Sequence, residues 1–158
     1  MKRKLKIISG GQTGVDRTAL EWALAHDVPH GGWCPRGRKA EDGSIPTEFH
    51  LKETHASTSV IRTRWNVRDS DGTVIFSAGP ELNGGSKLTR EFAQLQGKPW
   101  LHLDSSLGVV EAVRRLRRFI EEEGIATLNV AGPRASEEPD NGKFVHAVLS
   151  RALKPFIA

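Results

Sequence analysis

A single cysteine, Cys34, stands in a chain of 158 residues, which excludes an internal disulfide and any metal site built from several thiolates. The six histidines, His26, His30, His50, His55, His102 and His146, show no metal-ligand spacing; His26 and His30 lie four apart, but Pro29 spoils a shared helical face. No protein metal site is therefore expected. No hydrophobic run approaches the length of a membrane span. The basic start Met1-Lys-Arg-Lys is followed by an apolar stretch too short for a signal peptide. The expectation is a cytoplasmic protein without membrane attachment. Internal repeats, linkers and low-complexity stretches are also missing, so residues 1–158 read as one domain, long enough for a real core.

Charge of one sign is not in large excess. Twenty-three basic residues are interspersed with 19 acidic ones, for a formal net charge of +4 and a pI near 9.5. This permits an anionic partner and disfavours nucleic acid as that partner. Arg114, Arg115, Arg117 and Arg118 cluster on one predicted helix, but they surround its apolar stripe and face Glu121, Glu122 and Glu123. They read as a solvated exterior.

What the chain does have is organised around Leu5 to Leu20, LKIISGGQTGVDRTAL. An apolar run (Leu5, Ile7, Ile8) stops at Ser9-Gly10-Gly11, and helical spacing begins by Val15. Glycines let a backbone turn and approach a ligand, and a helix N-terminus offers unpaired N–H groups with a positive dipole end. The stretch lacks the third glycine of G-x-G-x-x-G and the Gly-Lys-Ser/Thr of a P-loop. A plain tight turn and a ligand loop both remain open to it. Asp16, in the first helical turn, is open to capping, to a ligand contact and to catalysis as an acid.

The pattern then repeats. Val28 to Trp33 reads as a short second strand interrupted by His30-Gly31-Gly32, and Arg62 onwards as a short helix anchored by Trp65 and Val67. Thr73 to Ser77 (TVIFS) is a buried strand, running into a second glycine region, Ala78 to Thr89. The helix after it has Ser86 as its expected N-cap. Trp100–Leu103, an amphipathic helix on Val109, Val113, Leu116 and Ile120, Thr127–Ala131 and a closing helix follow. Alternation throughout predicts an α/β fold, a three-layer sandwich with a mainly parallel sheet of about five to six strands.

Ligands of such sheets sit outside the strand C-termini. Those ends would carry Gly10, Gly11, Gln12, Thr13 and Gly14; then Gly79, Asn83, Gly84, Gly85, Ser86, Lys87 and Thr89; then Asn129, Gly132 and Arg134. N–H groups, hydroxyls, one lysine and arginines suit a phosphorylated small molecule or another oxyanion. The irregular loop after Cys34 adds Arg36, Arg38 and Lys39 as expected anion contacts. Asp69, Asp71 and Glu91 join Asp16 as acidic candidates for hydroxyl contact or proton transfer. No nucleophile elbow is present, because Ser9 precedes the glycines instead of lying between them.

SGGQTGVDRTALEWAL, CPRGRKAEDGSIP, RTRWNVRDSDGTVIFS, GGSKLT and LNVAGPRAS together resemble the putative molybdenum carrier family. That family is also described as circularly permuted YpsA-related, within the SLOG superfamily that includes the LOG and DprA/SMF proteins. The resemblance implies a Rossmann-like sandwich binding a nucleotide-like ligand or a molybdenum cofactor-like ligand, as a homo-oligomer. It places Gly10, Gly11, Thr13 and Gly14 in the superfamily's phosphate loop, and Gly84, Gly85, Ser86 and Thr89 in a second ligand-facing loop. Phosphoribohydrolases of the LOG type carry P-G-G-x-G-T-x-x-E with a catalytic glutamate. Here Ser9 replaces the proline, Thr13-Gly14 is inverted, and Asp16 comes one place early. Three functions are therefore compared: ligand binding, cleavage of an N-glycosidic bond with Asp16 as the acid, and, least supported, nucleic-acid binding.

Overall fold

The computed structural model describes residues 4–157; the basic start Met1-Lys-Arg falls outside them. Five parallel strands form the central sheet: β1 (Lys6–Ile8), β2 (His30–Gly31), β7 (Gly72–Ser77), β8 (Trp100–Asp104) and β9 (Thr127–Ala131), in the order β2-β1-β9-β7-β8. Helices α1 (Val15–Ala25), α4 (Val109–Glu123) and α5 (Asn141–Ala152) cover one face; α2 (Ser59–Arg68) and α3 (Gly84–Leu95) lie over the other. This is the expected α/β sandwich, with both faces of a parallel sheet covered.

The two faces differ chemically. Val74, Phe76, Leu103, Leu128 and Val130 join α1, α4 and α5 in the main hydrophobic cluster. Alternation then sends Thr73, Ser77 and Asn129, all buried, to the opposite side. There Asn129 Nδ2 donates to Thr73 Oγ1 at 3.2 Å. The α2–α3 side of the sheet is thus partly polar within the fold. Such groups are held there because each is paired, or because a ligand completes the pairing.

Two expectations are corrected by local chemistry. The run Val28 to Trp33 does not form one strand. Gly32 has φ +126, and the place its Cβ would occupy is filled by Ser9 O. This break leaves His30–Gly31 in the sheet and sends β3 (Trp33–Cys34) into a separate parallel pair with β6 (Lys52–Glu53). Between them β4 (Lys39–Ala40) and β5 (Gly43–Ser44) make a small hairpin. The second correction concerns Ser86. Helix α3 begins at Gly84 behind Asn83, with no side-chain cap, so Ser86 lies in its first turn and caps nothing.

Candidate functional site

Strand order reverses at β1 and β9, since β1 leads outward to β2 while the chain later enters on the β7 side. A crevice is expected outside the strand ends at such a point. A cleft of about 140 Å³ opens there. The glycine loop and the first turn of α1 give it Gly10, Gln12 and Asp16; the start of α3 gives Gly85, Ser86 and Thr89; the end of β9 gives Asn129, Gly132 and Arg134. Three segments predicted separately therefore meet. The structure adds a fourth wall that the sequence reading missed, the α2 face of Ser59, Arg62, Thr63 and Asn66, and also Glu137. Positions 59, 62, 63 and 66 have helical i, i+3, i+4, i+7 spacing. This polar stripe is the sequence signal for the wall, beside the apolar anchors Trp65 and Val67 of the same helix.

Arg62 crosses the cleft floor against Gly10, whose missing Cβ makes room for the guanidinium. Its Nη1 reaches Asp16 Oδ2 at 3.3 Å, with side chains only 11% and 9% exposed. Gln12 N–H donates to the same oxygen at 3.3 Å, so Asp16 does cap its own loop. Burial pushes the Asp16 carboxyl above the usual carboxylate range. Arg62, the Gln12 N–H, Ser9 and Arg17 pull the other way without prevailing. Arg134 lies at the rim, half exposed and paired with Glu137 at 2.8 Å. Ser86 is 4% exposed and its Oγ has no hydrogen-bond partner. A buried hydroxyl without a partner costs free energy unless a ligand or water supplies one.

Other candidates do different work. Gly11 (φ +81) faces Ile45 and Leu51, and Gly14 (φ +83) faces the Pro133 carbonyl; both let loops pack. Thr13 Oγ1 bonds Glu41 and accepts from Ala135 N–H at 3.1 Å. Glu41 in turn accepts from Ser136 N–H at 3.0 Å and from Ser136 Oγ at 2.6 Å, tying the hairpin to the β9 loop. Those hydrogen bonds hold the Glu41 carboxyl below its ordinary range. Arg38 is spent on the backbone, donating to the carbonyls of Ile45, Pro46, Phe49 and Leu51 at 2.7–3.5 Å. Arg36, Lys39, Gly79 and Lys87 do not line the cleft, and Gly84 stands beside it at the start of α3. Of the other acids, Asp71 accepts from the N–H groups of Ala126 and Thr127 at the start of β9, at the opposite end of the sheet. Asp69 is taken by Arg68 and by Trp33 Nε1, and Glu91 is exposed on α3.

Ser77 is not arranged as a nucleophile. Its hydroxyl donates to Gly79 O at 2.6 Å, and a hydroxyl has one proton. The 2.5 Å contact with His102 Nε2 is therefore donated by the imidazole, the reverse of a serine–base pair. Among the described residues no group of three or more His, Cys, Asp or Glu side chains is placed to hold a metal ion, and no helix is long and apolar enough to cross a membrane.

Residues 7–153 match the profile of the circularly permutated YpsA SLOG family. The chain belongs to that family. It is also similar to a crystal structure from Syntrophus aciditrophicus SB named "putative molybdenum carrier protein", with 43% identity, a TM-score of 0.93, and coverage of 97% of this chain and 98% of that one. No curated protein matches. The family resemblance read from SGGQTGVDRTALEWAL and the later motifs is thus established, and with it the Rossmann-like α/β fold. The family match extends over the whole cleft, from Gly10 to Glu137.

Proposed function

We propose that the cleft binds the phosphate or oxyanion part of a nucleotide-like or molybdenum cofactor-type ligand. The observation carrying this reading is the unpartnered, buried Ser86 Oγ in the first turn of α3. Ser86 lines a cleft that also holds Arg62, Arg134, Gly10, Gly85 and Gly132. The first N–H groups of a helix have no intrahelical acceptor, and the dipole favours an anion at that end. A hydroxyl, N–H groups and guanidinium groups are all donors, which suits oxygen atoms bearing charge.

Molybdenum enters as cargo, through the name of the similar structure. The donor set fits molybdenum held as an oxyanion, or through a pterin phosphate. It does not fit a direct thiolate bond, because Cys34 is buried with Leu20, Ile45 and Phe49 in a small apolar cluster of its own. The test is a thermal-shift panel of nucleoside mono-, di- and triphosphates, molybdate, tungstate and a pterin phosphate. Ligand at about one hundred times Kd contributes ~2.7 kcal/mol, a shift of several degrees in a domain of this size. Shifts with nucleotides alone support the nucleotide-like ligand, and shifts with molybdate or the pterin alone support the carrier. Silence from every anion rejects the reading.

One observation favours a second reading, N-glycosidic cleavage. Asp16 is a buried carboxyl with its proton affinity raised, the property a general acid needs. In that case Asp16→Asn binds a nucleoside monophosphate and releases no free base. Wild-type turnover in that variant removes Asp16 from the role.

A further inference from the structure

The cleft contains as many carboxylates as guanidinium groups: Asp16 against Arg62, and Glu137 against Arg134. A dianion entering it meets an ion pair already made. Arg134 can serve a ligand from the rim, where solvent screens Glu137. Arg62 cannot be shared so cheaply, because its counter-ion Asp16 is 6% exposed and a second negative charge beside a buried carboxylate is strongly unfavourable. The pair is poised to separate. Its 3.3 Å contact is long for a charge-assisted hydrogen bond, and both Arg62 and the Gln12 N–H address the same oxygen, Oδ2.

We propose that anion binding in this cleft is linked to proton uptake: the incoming oxyanion takes over the Arg62 guanidinium, and Asp16 leaves the ion pair by accepting one proton from solvent on its carboxylate. The bond formed is O–H on Asp16 and the bond broken is in hydronium or buffer acid. The complex therefore gains the ligand's charge and one compensating proton. The other carboxylate of the cleft, Glu137, is exposed and screened by solvent, so Asp16 is the buried acceptor. Its own helix presents Arg17, already held by Asp42 at 2.6 Å. Ser9 comes from β1, the Gln12 N–H from the glycine loop, and Arg62 from α2. Across the cleft α3 offers the hydroxyls of Ser86 and Thr89, and the β9 loop offers Arg134 and Glu137. Burial already raises the proton affinity of Asp16 in its ion pair, which reduces the cost of the step.

The inference rests on the anion-site reading, and one calorimetric experiment separates the two. The whole chain is titrated with molybdate, with sulfate and with a nucleoside monophosphate, in buffers of different ionisation enthalpy. Molybdate and sulfate keep their charge between about pH 6 and pH 8, so any proton taken up by their complexes belongs to the protein. The slope of observed enthalpy against buffer enthalpy is expected to approach one proton per site near pH 7.5. Affinity should then weaken by up to about tenfold per pH unit as pH rises. Uptake with the inorganic anions marks a free oxyanion as ligand; uptake with the monophosphate alone marks a phosphate ester where Asp16→Asn abolishes it, and a proton taken by the ligand's own phosphate, which overturns the linkage, where it persists. In Asp16→Asn the uptake disappears and affinity becomes flat with pH. Binding without uptake in the wild type overturns the linkage, as does undiminished uptake in Asp16→Asn. Absence of binding heat with all three anions at every pH overturns the anion site itself. The wild-type slope decides the matter even where the variant does not fold.

Discussion

At the residue scale the glycines divide by what occupies the space beside them. A Cβ on Gly132 would lie 2.5 Å from Val15 Cγ2 and 2.6 Å from the Phe76 carbonyl, whereas at Gly85 nothing comes within 4 Å. Gly132 is therefore a packing residue at the cleft edge, where α1 crosses the end of β9, and Gly85 is an open cleft wall. Gly132→Ala should destabilise the fold by ~1–3 kcal/mol, the usual cost of overpacking. Gly85→Ala should leave it unchanged or up to ~1 kcal/mol more stable, because alanine is the better helix former. Its added methyl group projects into the cleft, so it should shrink the thermal shift produced by an anion. Urea denaturation of both variants, with and without ligand, checks the contrast. Equal stability loss in the two would mean that Gly85 is packed and not open.

At the element scale the excursion from β3 to β6 shows most clearly what the sequence did and did not reveal. Its basic loop reads as an anion contact because Arg36, Arg38 and Lys39 surround a glycine. Composition could not show that Arg38 folds back on four carbonyls of its own loop. Such bonds depend on a turn geometry that no periodicity encodes. The long elements were different: α4 announced itself through Val113, Leu116 and Ile120, and β7 through its unbroken β-branched and aromatic run, because each buries a regular stripe. The three glycine loops were placed correctly at strand ends for the same reason. The α2 wall was missed because its signal is polar. Arg38 is thus a clamp on the excursion, and Cys34, the only thiol and fully buried, reports on it. Hydrogen bonds from a charged group contribute ~1.5–3 kcal/mol each. Arg38→Met should therefore speed labelling of Cys34 by about tenfold or more. Unchanged labelling would show that the apolar contacts of Ile45 and Phe49 suffice.

At the scale of the whole molecule the question is whether the excursion is a unit of its own. Its apolar cluster holds only Leu20, Cys34, Ile45 and Phe49 as buried members, and Leu20 belongs to α1. The main cluster joins all three helices on its face to β1, β7, β8 and β9. So small a cluster cannot offset the entropy of ordering the excursion separately, and α1 is shared by both. The described chain should unfold by urea as one cooperative transition. Trp33 and Trp65, in edge contact at 4.7 Å, report from the excursion side, and Trp22 reports from the main core. Single-tryptophan variants retaining one side or the other should give the same midpoint, coincident with far-UV circular dichroism. An earlier midpoint on the Trp33 side would divide the molecule into two units. It would also detach the hairpin that Glu41 ties across Thr13 and Ser136. The cleft draws on segments from Gly10 to Glu137, so in a single cooperative unit an anion bound there must raise the one midpoint that every probe reports.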